Sequence, residues 1–453
     1  PFMGGTYFPK IEKSGLPLFI NIMKKIHEIY LKQREEINKN AYLISKHLEI
    51  KKSSVLSQDL EIILETILNN LDEKKGGYKG APKFPVFNVY DTLLYFYKKD
   101  KNKKYIKPVE LVLKQLCSQG IYDHVEGGIA RYTVDEDWLI PHFEKMLYDN
   151  AQFILLLSNY VKIHPNKYFE NKITQTINFI HQNFITEVGG LLGSAYDADS
   201  EGEEGKYYIF SNEELKKVSG VEKYFEIKPG GNWEGKNILK EIESAPNEII
   251  EKLKEIRKLK AKPFFDNKIQ LDRNSLWISS LIAANSVLPD QNYLKKAERL
   301  YSIIETKYAK TLFHSNNKSI AFLEDYAYLI CTLIDLSEAT LNSKYIIRAK
   351  ELCQETITEF YLKDKQIFQK NKKGFNDIFH NPIDISDNTI PNGNSIMLIN
   401  LSRLGFEKES QELANSLNGY LNIYKSLMTS SIKSIDFFNV KKSKNICTDQ
   451  GCS

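Results

Sequence analysis

The sequence predicts an all-α fold, an (α/α)6 toroid of six helical hairpins, and three observations carry that expectation. The first is periodicity. Apolar residues recur at three- and four-residue steps in Leu60, Ile63, Leu64, Ile67, Leu68 and Leu71, in Ile173, Ile177, Ile180 and Phe184, and in Phe322, Tyr326, Leu329, Ile330 and Leu333, the spacing of one helix face. The second is number: about twelve such segments follow one another, near 57–72, 86–99, 105–119, 142–162, 167–185, 274–287, 291–309, 322–338, 343–361, 392–404, 407–420 and 422–432. The third is punctuation. Gly76-Gly77, Gly127-Gly128 and Gly189-Gly190 follow successive helices at intervals of 51 and 62 residues, a period that suits stacked helical hairpins. An open helical solenoid is the competing layout.

Residues 196–270 break the helical count and read as a small β-containing insertion over the mouth of the toroid. Lys206 to Ser211 reads as a strand, Ser211 with Glu214 as the capping-box start of a short helix, and Lys228-Pro229-Gly230-Gly231 as a turn. The opening PFMGGTYFPK is strand-like and glycine-rich, and the two charged helices after it run to about residue 49. The expected division is therefore 1–50, the end of another domain plus linker helices, and 51–453, the toroid with its insertion.

Composition excludes several classes. Among 453 residues, 62 Lys and Arg face 58 Asp and Glu, a net charge of +4 with both signs interleaved, so the chain lacks the basic concentration that nucleic-acid binding requires. The longest apolar run, Phe153 to Leu157, falls far short of the roughly 18–20 residues of a membrane span. Pro1 opens no charged, apolar leader, and no secretion signal is expected. Five scattered cysteines, Cys117, Cys331, Cys353, Cys447 and Cys452, form no disulfide framework and point to a reducing, cytoplasmic setting.

Polar residues concentrate in GIYDHVEGGIARYTVDEDWLIPHFEKMLYDNAQ, from Gly120 to Gln152. Pro141 fits a first helical position, which would put His142 in the first turn, with Lys145 or Met146 and Asp149 on its face. The glycine pair and the aromatics Tyr122, Tyr132 and Trp138 suit a loop ordered around a pocket. In YDADSEGEEGKYY, Asp197, Asp199, Glu201 and Gly202 occupy the first, third, fifth and sixth places of an EF-hand loop, but Tyr208 stands where a bidentate Glu is required. The expectation is a capped turn. His and Cys show no zinc spacing, so neither metal nor cofactor is expected. Glu324 and Asp325 open a helix, and Asn392 and Asn394 lie in a turn leading into another.

Six motifs, GGYKGAPKFP, the long 120–152 stretch, DADSEGEEGKYY, GNWEGKNIL, LEDYA and PNGNS, resemble in order the thioredoxin-domain-containing family related to spermatogenesis-associated protein 20. That resemblance implies a leading thioredoxin-like domain followed by a toroid similar to N-acylglucosamine 2-epimerases and six-hairpin glycosidases. It implies that PFMGGTYFPK is the last strand of the leading domain, so that the Cys-x-x-Cys redox motif and thiol-disulfide activity are not expected of this chain; a separate thioredoxin-like partner would supply them. Arg273 and Ser275 depart from the family pattern, which has Trp before Asn274 and usually Gly after it.

The resemblance implies a carbohydrate-directed toroid with a sugar-like ligand. Isomerase or epimerase chemistry needs groups titrating near neutrality next to a carbonyl, a role suited to His124 and His142, with Arg131 holding the enediolate and Asp123 and Glu144 nearby. Hydrolysis would draw on carboxylates such as Glu144, Asp135, Asp137, Asp197 and Glu324. Tyr122, Tyr132, Trp138 and Trp233 would stack on sugar faces, with Asp149, Asp199 and Asp325 completing the binding set. A non-catalytic ligand-binding or protein-interaction scaffold is the alternative.

Overall fold

The computed structural model describes residues 8–11, 15–50, 59–187, 190–308, 311–316, 319–374 and 380–449. Sixteen α-helices occur among them: α1 (Phe19–Lys32), α2 (Arg34–His47), α3 (Leu60–Asn70), α4 (Phe87–Asp100), α5 (Lys103–Ser118), α6 (Leu147–Val161), α7 (Lys167–Asn183), α8 (Asn212–Lys216), α9 (Asn247–Arg257), α10 (Leu271–Asn285), α11 (Tyr293–Tyr308), α12 (Leu323–Thr340), α13 (Ser343–Phe360), α14 (Gly393–Leu404), α15 (Glu407–Tyr424) and α16 (Thr429–Asp449). Helices α4, α6, α10, α12, α14 and α16 each pack on the next, and α16 returns to α4. This closes the inner ring of an (α/α)6 toroid, and the solenoid alternative is excluded. Helices α5, α7, α11, α13 and α15 cover the inner helices from outside.

The two rings bury different amounts of surface. The inner α6 has Leu147, Asn150, Phe153, Ile154, Leu157, Ser158 and Val161 all buried, as a helix surrounded by others must be. The outer α7 buries one face, Phe169, Lys172, Ile173, Thr176, Ile177, Phe179 and Ile180. Closure between α16 and α4 is polar: Asp436 accepts from Tyr95 Oη at 3.0 Å and from Lys99 Nζ at 2.8 Å, and Lys433 pairs with Asp91.

An eight-residue β-loop follows each of α3, α5, α7, α11 and α13, closed by the pairs Leu71–Tyr78, Tyr122–Ile129, Ile185–Leu192, Phe313–Ile320 and Tyr361–Phe368. Among the described residues of the glycine pairs, Gly76, Gly77, Gly127, Gly128 and Gly190 fall inside these loops, all with positive φ, which glycine adopts without steric cost. At Gly77 the close approach is also real, since an added Cβ would lie 2.6 Å from Trp138. Each loop then docks on the next inner helix. Asn150 accepts from Ile129 N at 2.9 Å and donates to Ile129 O. Asn274 does the same to Leu192, at 2.9 and 3.0 Å, and Asn394 to Phe368, both at 3.0 Å. In α4 the equivalent place holds Tyr90, whose Oη accepts from Gly77 N.

Three local expectations are corrected. Residues 141–146 are not the start of a helix: Pro141–His142 pairs antiparallel with Tyr132–Thr133, Lys145–Met146 pairs with Ala195–Tyr196, and α6 begins only at Leu147. Extended backbone alternates its side chains, so Pro141, Phe143 and Lys145 are buried while His142, Glu144 and Met146 face the other side. Within 206–211 only Phe210 pairs, with Asn237, because Tyr208 N and Ile209 N both turn back to Gly205 O. The last helix is 429–449 rather than 422–432, since Lys425 takes a positive φ and breaks the chain there.

The Ser211–Glu214 capping box and the turn at Lys228–Gly231 form as expected. Residues 196–270 pack on the 120–145 segment, Phe143 lying between Tyr208 and Trp233. The strand expected in PFMGGTYFPK and the side chains of Cys447 and Cys452 lie outside the described residues. Helices α1 and α2 pack on each other and leave Phe19, Ile20, Met23, Tyr30 and Leu31 exposed. No helix among the described residues is long and apolar enough to cross a membrane.

The asparagine clasp gives a direct test. Asn274→Ala strands a buried N–H and C=O of Leu192, at about 1–3 kcal/mol each, so a loss of about 2–5 kcal/mol in urea unfolding is expected.

Candidate functional site

Inner helices α6, α10 and α12 each present polar residues at their second and third positions, at one mouth of the ring: Tyr148 and Asp149, Asp272 and Arg273, Glu324 and Asp325. A cavity of about 550 Å³ lies there, lined by Gln270, Asp272, Arg273, His314, Glu324 and Lys370 and, on its apolar side, by Phe322, Ile383, Ile385, Ile390 and Tyr424. This volume is in the range of small-molecule sites.

The two neighbouring carboxyls of α12 have opposite fates. Asp325, wholly buried, accepts from Asp272 N at 3.1 Å, Phe322 N at 2.8 Å and His314 Nδ1 at 3.0 Å. Burial pushes it up to about 6, so it is ionised at neutral pH. Burial works against charge on His314, yet the hydrogen bond and charge of Asp325 outweigh it and raise the imidazole above its ordinary value. Glu324 gathers fewer, its own backbone N–H. Burial pushes its carboxyl up to about 7, with the Lys370 ammonium opposing the shift. Gly393, the first residue of α14, leaves room for it: an added Cβ would sit 3.2 Å from Glu324 Oε1.

Asp272, His314 and Asp325 bring three ligand-type atoms within 4.8 Å of one another. Asp325 is committed to three donors, and Gln270 Nε2 lies 3.1 Å from His314 Nε2. The trio is therefore a hydrogen-bonded cap tying α10 to α12, not an open ligand set. Asp387 acts similarly, accepting from Asn88 of α4, Asn392 N before α14 and Ser430 N of α16.

On the other side of Arg273, its guanidinium lies 4.8 Å from the centre of the Tyr148 ring. Asp149 is buried there, and burial raises its carboxyl well above the carboxylate range against the pull of Arg131 and Arg273. Arg131 pairs with Glu144 at 2.9 Å. His142 Nε2 lies 3.8 Å from the same carboxylate, its Nδ1 2.6 Å from Glu204, and its ring stacks on Tyr132 at 5.1 Å. The alternation of 141–146 thus brings His142 and Glu144 together.

The other sequence candidates lie elsewhere. Asp123 is sealed between Lys145 at 2.7 Å and Arg257 at 2.7 Å, and these cations hold its carboxyl below the usual range against the cost of burial. His124 is buried between Gln119 O, Lys172, Tyr122 and Phe225; burial, then the Lys172 charge, lower it to about 4. Tyr122 is buried beside it, its hydroxyl at Thr176. Asp135 caps the turn at Asp137, Leu139 and Ile140, Asp137 pairs with Lys75, and Trp138 donates to Lys75 O from full burial. Asp197 accepts from Asp199 N, and Asp199–Ser200 pairs with Glu203–Glu204 across a tight turn at Glu201 and Gly202. Trp233 rests on Phe143. Burial pushes the thiols of Cys331 and Cys353 up to about 12, away from reactivity.

Sequence reasoning missed Tyr148, Asp272, Arg273, His314 and Lys370. The signal was the register of the repeat: the second and third helical positions flagged in LEDYA recur as Tyr148-Asp149 and Asp272-Arg273.

The chain matches no family model. It is 28% identical to the uncharacterized protein B0495.5 of Caenorhabditis elegans over 92% of its length and 66% of that protein. It is 25% identical to spermatogenesis-associated protein 20 of Homo sapiens over 76% of its length and 54% of that protein. The chain therefore spans between half and two thirds of these relatives. Among solved structures, the fold matches cellobiose 2-epimerase from Bacillus thermoamylovorans B4167 with TM-score 0.57 and 12% identity, covering 84% of this chain and 98% of that one. It matches a D-mannose isomerase with TM-score 0.54 and 13% identity, covering 85% and 97%. The six ordered motifs, the closed ring and these alignments identify the chain as a homologue of spermatogenesis-associated protein 20.

Proposed function

We propose that the toroid is carbohydrate-directed and that its mouth moves a proton next to a sugar carbonyl, as an isomerase or epimerase does. The observation that carries this reading is Glu324, a carboxyl titrating near 7 on the wall of a cavity of about 550 Å³. A group whose pKa matches the working pH both removes and returns a proton effectively. In this step the C–H bond beside the carbonyl breaks, its proton passes to the Glu324 carboxylate, and its electron pair moves to the carbonyl oxygen as an enediolate. Return of the proton to the other face of the same carbon completes epimerisation; its return to the former carbonyl carbon, with the neighbouring hydroxyl proton passing to the former carbonyl oxygen, completes isomerisation. Arg273 and Lys370, both lining the cavity, are the cations available to the enediolate.

The two fold neighbours, by name a cellobiose 2-epimerase and a D-mannose isomerase, support a sugar ligand. The pair His124 and His142 no longer serves as the two bases, since His124 is sealed in the interior at about 4. His142 is held by Glu144 and Glu204 and is not among the residues that line the Glu324 cavity.

Proton NMR in D2O with reducing sugars tests this: deuterium is expected to enter beside the carbonyl, and silence across aldoses and ketoses sinks the proposal. A freed anomeric centre from simple glycosides would move the chemistry to a carboxylate pair. Because only ionised Glu324 accepts a proton, kcat/KM should rise with pH through about 7. Glu324→Gln should lower kcat about 10²–10⁴-fold with no loss of thermal stability, whereas His124→Gln should lower the melting temperature and spare turnover.

A further inference from the structure

Between α6 and α10, several buried polar atoms of Arg131, Arg273 and Asp149 are left without partners. Among the described buried side-chain atoms, Arg131 Nε, Arg273 Nε and Arg273 Nη1 have no hydrogen-bond partner. Asp149 Oδ2 beside them has none either, and Asp149 is 6% exposed. Arg273 Nη1 stands 3.4 Å from Asp272 Oδ2, close enough for attraction, but Asp272 Oδ1 is spent on Arg273 N. Arg131 gives one Nη to Glu144. Each guanidinium presents five N–H donors in a fixed fork and accepts nothing, so several donors converge here, and the one unpartnered oxygen beside them, Asp149 Oδ2, receives none of them. Unmet buried donors cost about 1–3 kcal/mol each, a cost a ligand oxygen would remove. The guanidiniums are not closed off, since the Arg131 side chain is 37% and the Arg273 side chain 17% exposed.

The local setting also fits negative charge. Asp149 and Arg273 stand in the first turns of α6 and α10, where the positive end of the helix dipole favours anions. Burial raises the carboxyl of Asp149 well above its ordinary value against the pull of Arg131 and Arg273, which weakens its competition for the two guanidiniums. Arg273 joins this end to the cavity that holds Glu324.

We propose that the ligand is a sugar carrying an oxyanion, a carboxylate or a phosphate, gripped by the Arg131 and Arg273 guanidiniums beside Asp149 while its polyol portion lies in the Glu324 cavity. This rests on the reading of the mouth as a sugar site and narrows the substrate class. The planar fork of arginine matches both oxyanions in two-point contact.

Methyl glycosides cannot open to a carbonyl, so their binding reports on this subsite whatever the fate of the proton-transfer reading. Calorimetry of the full chain with methyl glucoside, methyl glucuronoside and methyl glucoside 6-phosphate separates neutral, carboxylate and phosphate ligands. At least one charged ligand is expected to bind 10-fold or more tighter than the neutral one, and which of the two identifies the oxyanion. Arg273→Gln and Arg131→Gln should each erase most of that preference, and Arg273→Lys should restore charge but only part of the affinity. If Arg273→Gln fails to fold, Arg131→Gln carries the test. Equal or tighter binding of methyl glucoside, no binding of any of the three, or a preference that survives in both glutamine variants would overturn the proposal.

Discussion

The clasp of an inner-helix asparagine on one loop residue holds the rest of the structure in register. Asn150, Asn274 and Asn394 each satisfy both backbone groups of a single residue in the β-loop arriving from the outer ring. Those loops are buried where six helix ends crowd together, and water cannot reach their backbone to take the place of the amide. The carboxamide copies a peptide group, so it fixes the loop's position and its orientation together. In α6 and α10 the clasp sits one turn into the helix, which leaves the second and third positions to face the mouth.

At those positions, hydrogen-bond donors decide which buried carboxyl is structural and which is available for chemistry. Asp325 and Asp387 collect backbone and side-chain donors from several helices and act as pins between neighbours. Glu324, one residue from Asp325, is desolvated too but accepts from its own backbone N–H rather than from neighbouring helices, and its pKa rises to about 7. The same contrast separates Asp123, clamped by Lys145 and Arg257, from Asp149, whose arginine neighbours attract it without bonding to it. Desolvation is common to all of them, and the pairing differs.

Much of this was legible in the residues, and what was not has a physical cause. The 3.6-residue period marks helices directly, so most of the ring helices were placed to within a few residues, the exceptions being the start of α6 at Leu147 and the last helix at 429–449. The glycine pairs marked loops because only glycine turns twice through positive φ next to Trp138 or Phe179. The 141–146 segment failed because a proline and a histidine before an apolar run imitate a helix start, while the alternation of Pro141, His142, Phe143 and Glu144 is too short to stand out. His124 and Asp123 were legible as chemical residues but not as interior ones, since their burial depends on Lys172, Glu241 and Arg257, 48 to 134 residues away. Arg273 was visible as a departure from a family pattern, and only the fold shows that it lies between the two ends of the mouth.

The central claim is that function resides where the first turns of the inner helices meet. Hydrogen exchange of the chain with and without a bound sugar measures this most directly, because each segment reports its own protection. The account predicts slowed exchange around 271–275, 321–326 and 384–395, with the outer helices unchanged. Protection confined to the outer ring, such as the groove between α11 and α13, would contradict it.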